Sequence, residues 1–519
     1  MSTTDAHPAR PVLAENRGAS IRQALILGLV GVAVFLIGSW NVSLWNDEAF
    51  TITAASRTPA ELWAMLQQID AVHGVYYAFM HVWGSIFGFG PVALRVPSAL
   101  AAGAAVMGVY VLAKSLGGAR VGVLAGIVAI VLPRFTWMGI EGRSYAFSTA
   151  LAVWASVALL IALRRGRWFW VLYAGLLAAG IAVSIYVALL AMAHAVTVLF
   201  LGEFAWRRKL GWLIAAAVAG IVASPVIVTA AGQQGQLGDL SATAFSMVRQ
   251  TVVNQWFLGA TPTRVDDSND GGALWASAAL ALALVCWALM VLAVLPAFQR
   301  ANTVTRRAVL VLVPWMLVPS LLVIGYSLVV SPLFNPRYFS FTTPAAAVLI
   351  ALGISRFWRR WQRIAALALI AVLALPIYVS QREVTGKSGT DWSEAAAFVG
   401  SHAAPGDGVY FGPLNVPNAT VYSRDTRFIE VTYPGDFTGL TDLTLLKTGA
   451  ADNSLRGLST ALSGQTAELA GVDRVFVVRP VDYPAASAAA DDAVLTTAGF
   501  TAGARWAGPM TEVVEFSRG

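Results

Sequence analysis

Trp45-Asn46-Asp47-Glu48 ends the first long apolar run of the chain, and Asp70-Ala71-Val72-His73-Gly74-Val75-Tyr76-Tyr77 follows about two dozen residues later. Carboxylates at the edge of an apolar run are costly to desolvate, so they are left to water or given a task. A lone Asp-Glu reads as an acidic loop cap. This pair has company: Asp70 and His73 lie on the same loop, and two later loops carry Arg143 with Tyr145 and Arg337 with Tyr338. Whether those loops share a face decides the fold.

The chain has 519 residues, 57% of them hydrophobic and 12% charged. Soluble chains carry about a quarter charged residues, so this is a polytopic membrane protein built of helices. The single Cys286 excludes a disulfide framework and a cysteine-based metal site. The first apolar run is too long for a cleavable leader and no small-residue cleavage site follows, so a retained anchor is expected. The net charge of +7 divides unevenly: residues 1–380 hold 25 Lys and Arg against 12 Asp and Glu, and residues 381–519 hold 10 against 16. The basic excess is a topology signal and not an argument for nucleic acid.

Eleven apolar runs approach the ~17–25 residues a membrane crossing needs. They lie near 23–42, 92–113, 118–134, 146–163, 168–185, 187–204, 211–231, 273–297, 308–330, 339–355 and 364–380. If all cross, 18 Lys and Arg fall on one side, in clusters such as Arg164/Arg165/Arg167 and Arg356/Arg359/Arg360/Arg363. The other side has 7: Arg57, Arg95, Arg134, Arg143, Arg249, Arg264 and Arg337. The positive-inside rule then places the N-terminus in the cytoplasm. Loops 43–91, 133–146, 232–272 and 331–338 all emerge on the outer face, so the carboxylates, arginines and tyrosines converge there. The division expected is a cytoplasmic tail over 1–22, a membrane domain over 23–380, and an extracytoplasmic α/β domain over 381–519.

Within loop 43–91, Thr58-Pro59-Ala60-Glu61 starts a helix, and the spacing of Leu62, Met65, Leu66 and Ile69 suggests that it lies along the membrane interface. Past residue 381 the pattern predicts strands at Val409–Phe411, Arg427–Thr432, Arg474–Val478 and Glu512–Phe516 with helices between them. No Gly-rich phosphate loop occurs there, and the domain is expected to position an acceptor or to scaffold. The membrane part shows no inverted repeat of the transporter kind.

A carboxylate can take a proton from a hydroxyl as general base, and a guanidinium pairs bidentately with phosphate without losing its charge. Together they suit attack by a hydroxyl on a sugar carbon whose leaving group is a phosphate. A lipid-linked phosphate would explain why the enzyme sits in a bilayer. The rival class is a transporter or flippase of lipid-linked sugar, since membrane-edge charges also mark transport paths. Against it, the charges gather on one face and the helices lack paired charges at mid-membrane. A sugar-binding scaffold using the outer domain is the third class.

Over residues 22–380 the chain resembles the GT-C glycosyltransferases, in particular the bacterial protein-mannosyltransferase-like group and the lipid A aminoarabinose transferases. The marks are Asp47-Glu48 after the first membrane helix, His73-Gly74, Glu141-Gly142-Arg143-Ser144-Tyr145, and Pro336-Arg337-Tyr338. The resemblance implies a polytopic GT-C membrane domain and a polyprenyl-phosphate sugar donor. It also implies transfer of mannose or another hexose or pentose to a hydroxyl of a glycan, lipid or protein of the cell envelope, with inversion. Asp47 takes the role of base; Glu48 beside it is either a second catalytic carboxylate or a helix cap or salt-bridge partner of an arginine; Arg143 and Arg337 hold the lipid-linked phosphate; His73 shapes the site. Asp70, Tyr76, Tyr77, Glu141, Tyr145 and Tyr338 complete the expected substrate-binding set. Where familiar members carry Phe-Gly after that histidine, this chain has Gly74-Val75-Tyr76-Tyr77, which points to a different acceptor pocket. No obligatory metal is expected; dependence on a divalent cation varies among such enzymes, and Asp47, Glu48 and His73 are the one ligand set the sequence suggests.

Overall fold

A computed structural model describes residues 17–202, 204–233, 242–259, 270–298, 303–415 and 425–519. Residues 1–16 of the tail and 234–241 and 260–269 of the 232–272 loop, with Arg10 and Arg264, lie outside these residues, as does Arg300.

The protein is a polytopic α-helical membrane protein with a C-terminal domain built on a sheet. Among the described residues, eight helices are long and apolar enough to cross a bilayer, the first from Gly18 to Leu36 and the last Arg360–Ser380. Three shorter apolar helices, Ala119–Val131, Trp168–Val183 and Ile185–Phe200, stand at the positions of the third, fifth and sixth runs. The first helix ends at Leu36, earlier than its hydropathy suggests, because Gly38 takes a left-handed φ of 75°. The chain then reaches Asp47 through a turn in which Ser39, Val42, Ser43, Leu44 and Trp45 are buried.

Helix Asn46–Ala55 is the hinge of the architecture. Asp47 and Glu48 occupy its first turn, where exposed backbone N–H groups favour negative charge. Its Ala49 joins the C-terminal domain's core with Trp392 and Phe428, and Phe50 meets Phe428 edge-on at 5.2 Å. Ile52, Ala54 and Ala55 instead pack on Leu62, Met65, Tyr76, Tyr77 and Met80 of the following loop helices. One short helix thus serves two cores.

The Thr58 signal is realised as a full capping box: Thr58 accepts from the Glu61 N–H and Glu61 from the Thr58 N–H. The helix it starts, Pro59–Gln68, does not lie freely in the interface; Leu62 and Met65 are buried in protein, while Trp63 is exposed. Gly74–Phe87 forms the second loop helix.

The C-terminal domain contains strands β1 Gly408–Phe411, β2 Thr441–Asp442, β3 Leu445–Lys447, β4 Leu458–Ser459, β5 Arg474–Pro480, β6 Phe500–Ala507 and β7 Thr511–Arg518. Five form a sheet in the order β2-β1-β5-β7-β6, parallel around β1 and antiparallel across β7. The segment expected as a strand at 427–432 is a helix, Phe428–Thr432. Periodicity cannot separate the two in so short an apolar run. Here an Asp425 Oδ1 accepts the Arg427 N–H at the turn, and Phe428, Ile429 and Thr432 are buried at helical spacing.

Candidate active site

Three chain segments meet around Asp47. Its Oδ2 lies 3.1 Å from Nη1 of Arg337 and 3.9 Å from Nε of Arg143. Arg337 arrives there because Asn335 and Pro336 stop regular helix before it: the Asn335 side chain accepts the Arg337 N–H, and a tight turn of helix, Pro336–Thr342, begins. The guanidinium lies over Trp45 and Tyr338, at 5.5 and 5.8 Å from their ring centroids. Burial would raise the Asp47 pKa, but Arg337, then Arg143, and more weakly His73 and Lys387, outweigh it and hold the carboxyl below its ordinary value. Asp47 is therefore ionised at neutral pH. The Nε–H groups of Arg143 and Arg337 are both buried without a hydrogen-bond partner.

From Arg143 a polar chain runs outward. Its Nη1 donates to the Tyr77 hydroxyl at 2.7 Å, Tyr77 donates to Asp70, and His73 Nε2 stands 3.8 Å from the other Asp70 oxygen. Asp70 adopts a left-handed φ of 61°, a conformation Asp tolerates better than most residues. Burial and the Arg143 charge depress the His73 pKa to about 4, against the opposing pull of Asp70 and Asp47. His73 is thus neutral at physiological pH and adds no third positive charge to the site.

Of the two readings of Glu48, the structure places it as the buried partner of an arginine. It is fully buried and forms a two-point ion pair with Arg95 at 2.9 and 2.7 Å, and one oxygen also accepts the Gly142 N–H at 3.0 Å. Both oxygens are occupied, and a substrate does not reach them. Arg95 in turn binds the carbonyls of Ser39, Val42 and Ser43, so the pair fixes the turn that delivers Asp47. A Cβ at Gly142 would sit 2.9 Å from Leu94 and 3.1 Å from the Glu48 side chain, so a larger residue there would displace the side chains that hold the pair.

Glu141 also differs from its expected place. It pairs with Lys387 of the C-terminal domain and accepts the Trp45 indole N–H at 2.7 Å. Burial pushes its carboxyl up and the Lys387 ammonium down, each countered by the other. Tyr76 is buried against Phe147 and Tyr77. Tyr145 and Tyr338 are brought together, with ring centroids 6.5 Å apart, and Trp137 and Tyr186 extend the same aromatic wall.

Above Asp47 and Arg337 lies a chamber of about 380 Å³ between the two domains. Trp45, Asn46, Asp47 and Arg337 form its membrane-domain side; Ser388, Thr390, Asp425 and Thr511 belong to the opposite side. Lys387, Arg95 and Asp425 are the members sequence reasoning missed. Lys387 and Asp425 lie in the domain expected to position an acceptor or to scaffold, where no single residue was singled out, and Arg95 was only one charge among seven. Among the described residues no group of three or more His, Cys, Asp and Glu is placed to hold a metal ion; His73 pairs with Asp70 and Glu48 with Arg95, so the suggested ligand set is dispersed.

ArnT from Cupriavidus metallidurans in the apo state superposes with a TM-score of 0.58 at 12% identity, covering 96% of this chain and 98% of that one. The chain has the GT-C fold. The same ArnT bound to undecaprenyl phosphate matches with a TM-score of 0.53 at 12% identity, over 94% and 97% of the two chains. The oligosaccharyltransferase AglB from Archaeoglobus fulgidus, in complex with an inhibitory peptide and a dolichol-phosphate, matches at 0.50 and 11% identity, over 95% and 74%. Residues 74–228 match the family described as dolichyl-phosphate-mannose-protein mannosyltransferase. No curated protein matches the chain by sequence. The GT-C likeness spans both domains, so the sheet-bearing domain belongs to the shared architecture.

Proposed function

We propose that the protein is an inverting glycosyltransferase that moves a hexose or pentose, mannose among them, from a polyprenyl-phosphate donor to a hydroxyl of a cell-envelope glycan, lipid or protein. The observation that carries this reading is the pair of buried, partnerless guanidinium N–H groups on either side of an ionised Asp47. Buried donors without partners are costly, and a phosphate is the anion whose oxygens suit them. Solved GT-C structures that hold undecaprenyl phosphate or dolichol-phosphate supply the lipid-phosphate class of donor.

In this reading the donor phosphate competes for Arg337 and Arg143, which loosens their hold on Asp47. The released carboxylate accepts the proton of the acceptor hydroxyl as its oxygen bonds to the anomeric carbon. The bond from that carbon to the phosphate oxygen breaks, and the arginines take up the charge of the departing phosphate. Inversion follows from one displacement. The active face is the extracytoplasmic one, with the N-terminus inside. No obligatory metal is required by this scheme. Asp47→Asn should keep fold and donor binding and lower turnover by about 10²–10⁴-fold. Near-normal transfer by that variant, measured with a panel of polyprenyl-phosphate sugars, would remove Asp47 from the role of base.

A further inference from the structure

Asp425 stands at the domain boundary with an unmet bonding capacity. It is buried, 4% exposed, and lines the chamber over Asp47. Its Oδ1 accepts the Arg427 N–H at 3.1 Å, whereas its Oδ2 has no hydrogen-bond partner. Burial pushes its carboxyl above the ordinary range against the charges of Arg427 and Arg456. A buried carboxylate oxygen without a donor carries a desolvation cost that a native fold seldom retains without a reason.

The chamber's other polar atoms show what kind of guest would satisfy it. Thr426 and Thr511 already donate their hydroxyl protons within the C-terminal domain, to Gly412 and Val478 and to Asp391. The Asn46 Oδ1, across the chamber, is likewise buried without a partner. Asp425 and Asn46 thus both line the chamber, each with a buried acceptor oxygen left unmet, which calls for a guest rich in hydroxyl donors. Trp45 and Trp392 add indole surface to the lining, suited to the apolar face of a sugar ring. Ser388, also in the lining, is held at a left-handed φ of 55°. The donor phosphate belongs to Arg337 on the opposite side of the lining, away from the Asp425 carboxyl.

The geometry points to Asp425 as a specificity-determining residue that accepts hydroxyls of a glycan acceptor, held by the C-terminal domain above the base. This rests on the sugar-transfer reading for its direction: the donor's lipid lies on the membrane side, past Arg337 and the Tyr145–Tyr338 wall, which leaves the opposite wall to the acceptor. The acceptor class is then a carbohydrate, in preference to a peptide or a simple alcohol.

The test uses the full chain in nanodiscs and has two arms. In the first, calorimetry measures binding of linear tetrasaccharides of mannose, arabinose, galactose and glucose without any donor. At least one should bind the wild type, and Asp425→Asn and Asp425→Ala should weaken it by about tenfold or more, the loss expected for one hydrogen bond to a charged group. Asp425→Asn preserves shape and the Oδ1 contact, so its folding is secured even where the alanine variant fails. Binding of none of the four sugars, or equal binding by the asparagine variant, overturns the assignment. In the second arm, donor and acceptor KM are compared in Asp425→Asn. A rise confined to the acceptor KM supports it; an equal rise in the donor KM places Asp425 on the donor sugar and overturns it. Failure of the transfer reading is read separately, from Asp47→Asn, and leaves the first arm intact.

Discussion

Replacing Arg337 tests two consequences of one contact. Arg337 is the nearer cation to Asp47, at 3.1 Å against 3.9 Å for Arg143, and the strongest of the charges that oppose the burial of Asp47. A hydrogen bond to a charged group contributes about 1.5–3 kcal/mol. Part of that is already engaged with Asp47 before donor binds, so the net loss in Arg337→Ala should sit near the lower end, about 2 kcal/mol or roughly 30-fold in donor Kd. Arg337→Lys keeps the charge and loses the fork, so a loss of about tenfold is expected. The second consequence concerns pH. With Arg337 absent, the largest of the charges that oppose burial is gone, and the Asp47 carboxyl pKa rises. A base that is protonated on the acid side then loses activity at a higher pH than before. The acid limb of kcat/KM, set below ordinary carboxylate values in the wild type, should move upward in Arg337→Ala and far less in Arg337→Lys. Both readouts come from one donor titration series from about pH 3 to about pH 8. An alanine variant with unchanged donor affinity and an unmoved acid limb would refute the arrangement, and would leave Arg337 as an interfacial arginine reaching for lipid headgroups.

The remaining expectations address the supports of the site and its orientation. Glu48→Gln leaves Arg95 buried against a neutral partner and should destabilise the protein by about 3–5 kcal/mol, read as a fall in Tm in detergent; an unchanged Tm would show the pair to be dispensable. His73 has a folded pKa of about 4 against 6.5 unperturbed, so the unfolded chain binds the proton first as pH falls. The stability His73 lends is complete above about pH 6.5 and is lost between there and about pH 4. Its ring resonance, assigned by its loss in His73→Gln, should titrate well below 6, and a midpoint of 6 or higher would contradict the buried site. A reporter fused after Gly519 should be active only outside the cytoplasm; cytoplasmic activity would reverse the orientation read from the basic loops.

The features legible in the sequence were those with local causes. Thr58 and Glu61 announce their helix within four residues, and Asn335-Pro336 announces where Arg337 must stand. The convergence of Asp47, Arg143 and Arg337 was legible through the positive-inside count, because topology assigns loops to a face without knowledge of packing. Illegible features depended on long-range partners. Glu48 and Asp47 are neighbours of one charge, and only Arg95, 47 residues on, separates the buried support from the base. Glu141 finds Lys387 across 246 residues. The helix Phe428–Thr432 was misread as a strand because five residues are too few to show a period.

The Glu141–Lys387 pair also bears on where this protein can be cut. Hydropathy draws a boundary at residue 380, yet the first residues beyond it are stitched into the membrane part: Gln381 bonds to the carbonyls of Pro133 and Leu258, and Arg382 to those of Phe35 and Ile37. A truncation at 380 would remove these ties and strand Glu141 in a dry pocket two residues from Arg143. The compositional border is thus no seam of stability. Chimeras that exchange the outer domain between related enzymes should be joined after Lys387, so that each catalytic loop keeps the cation that holds it.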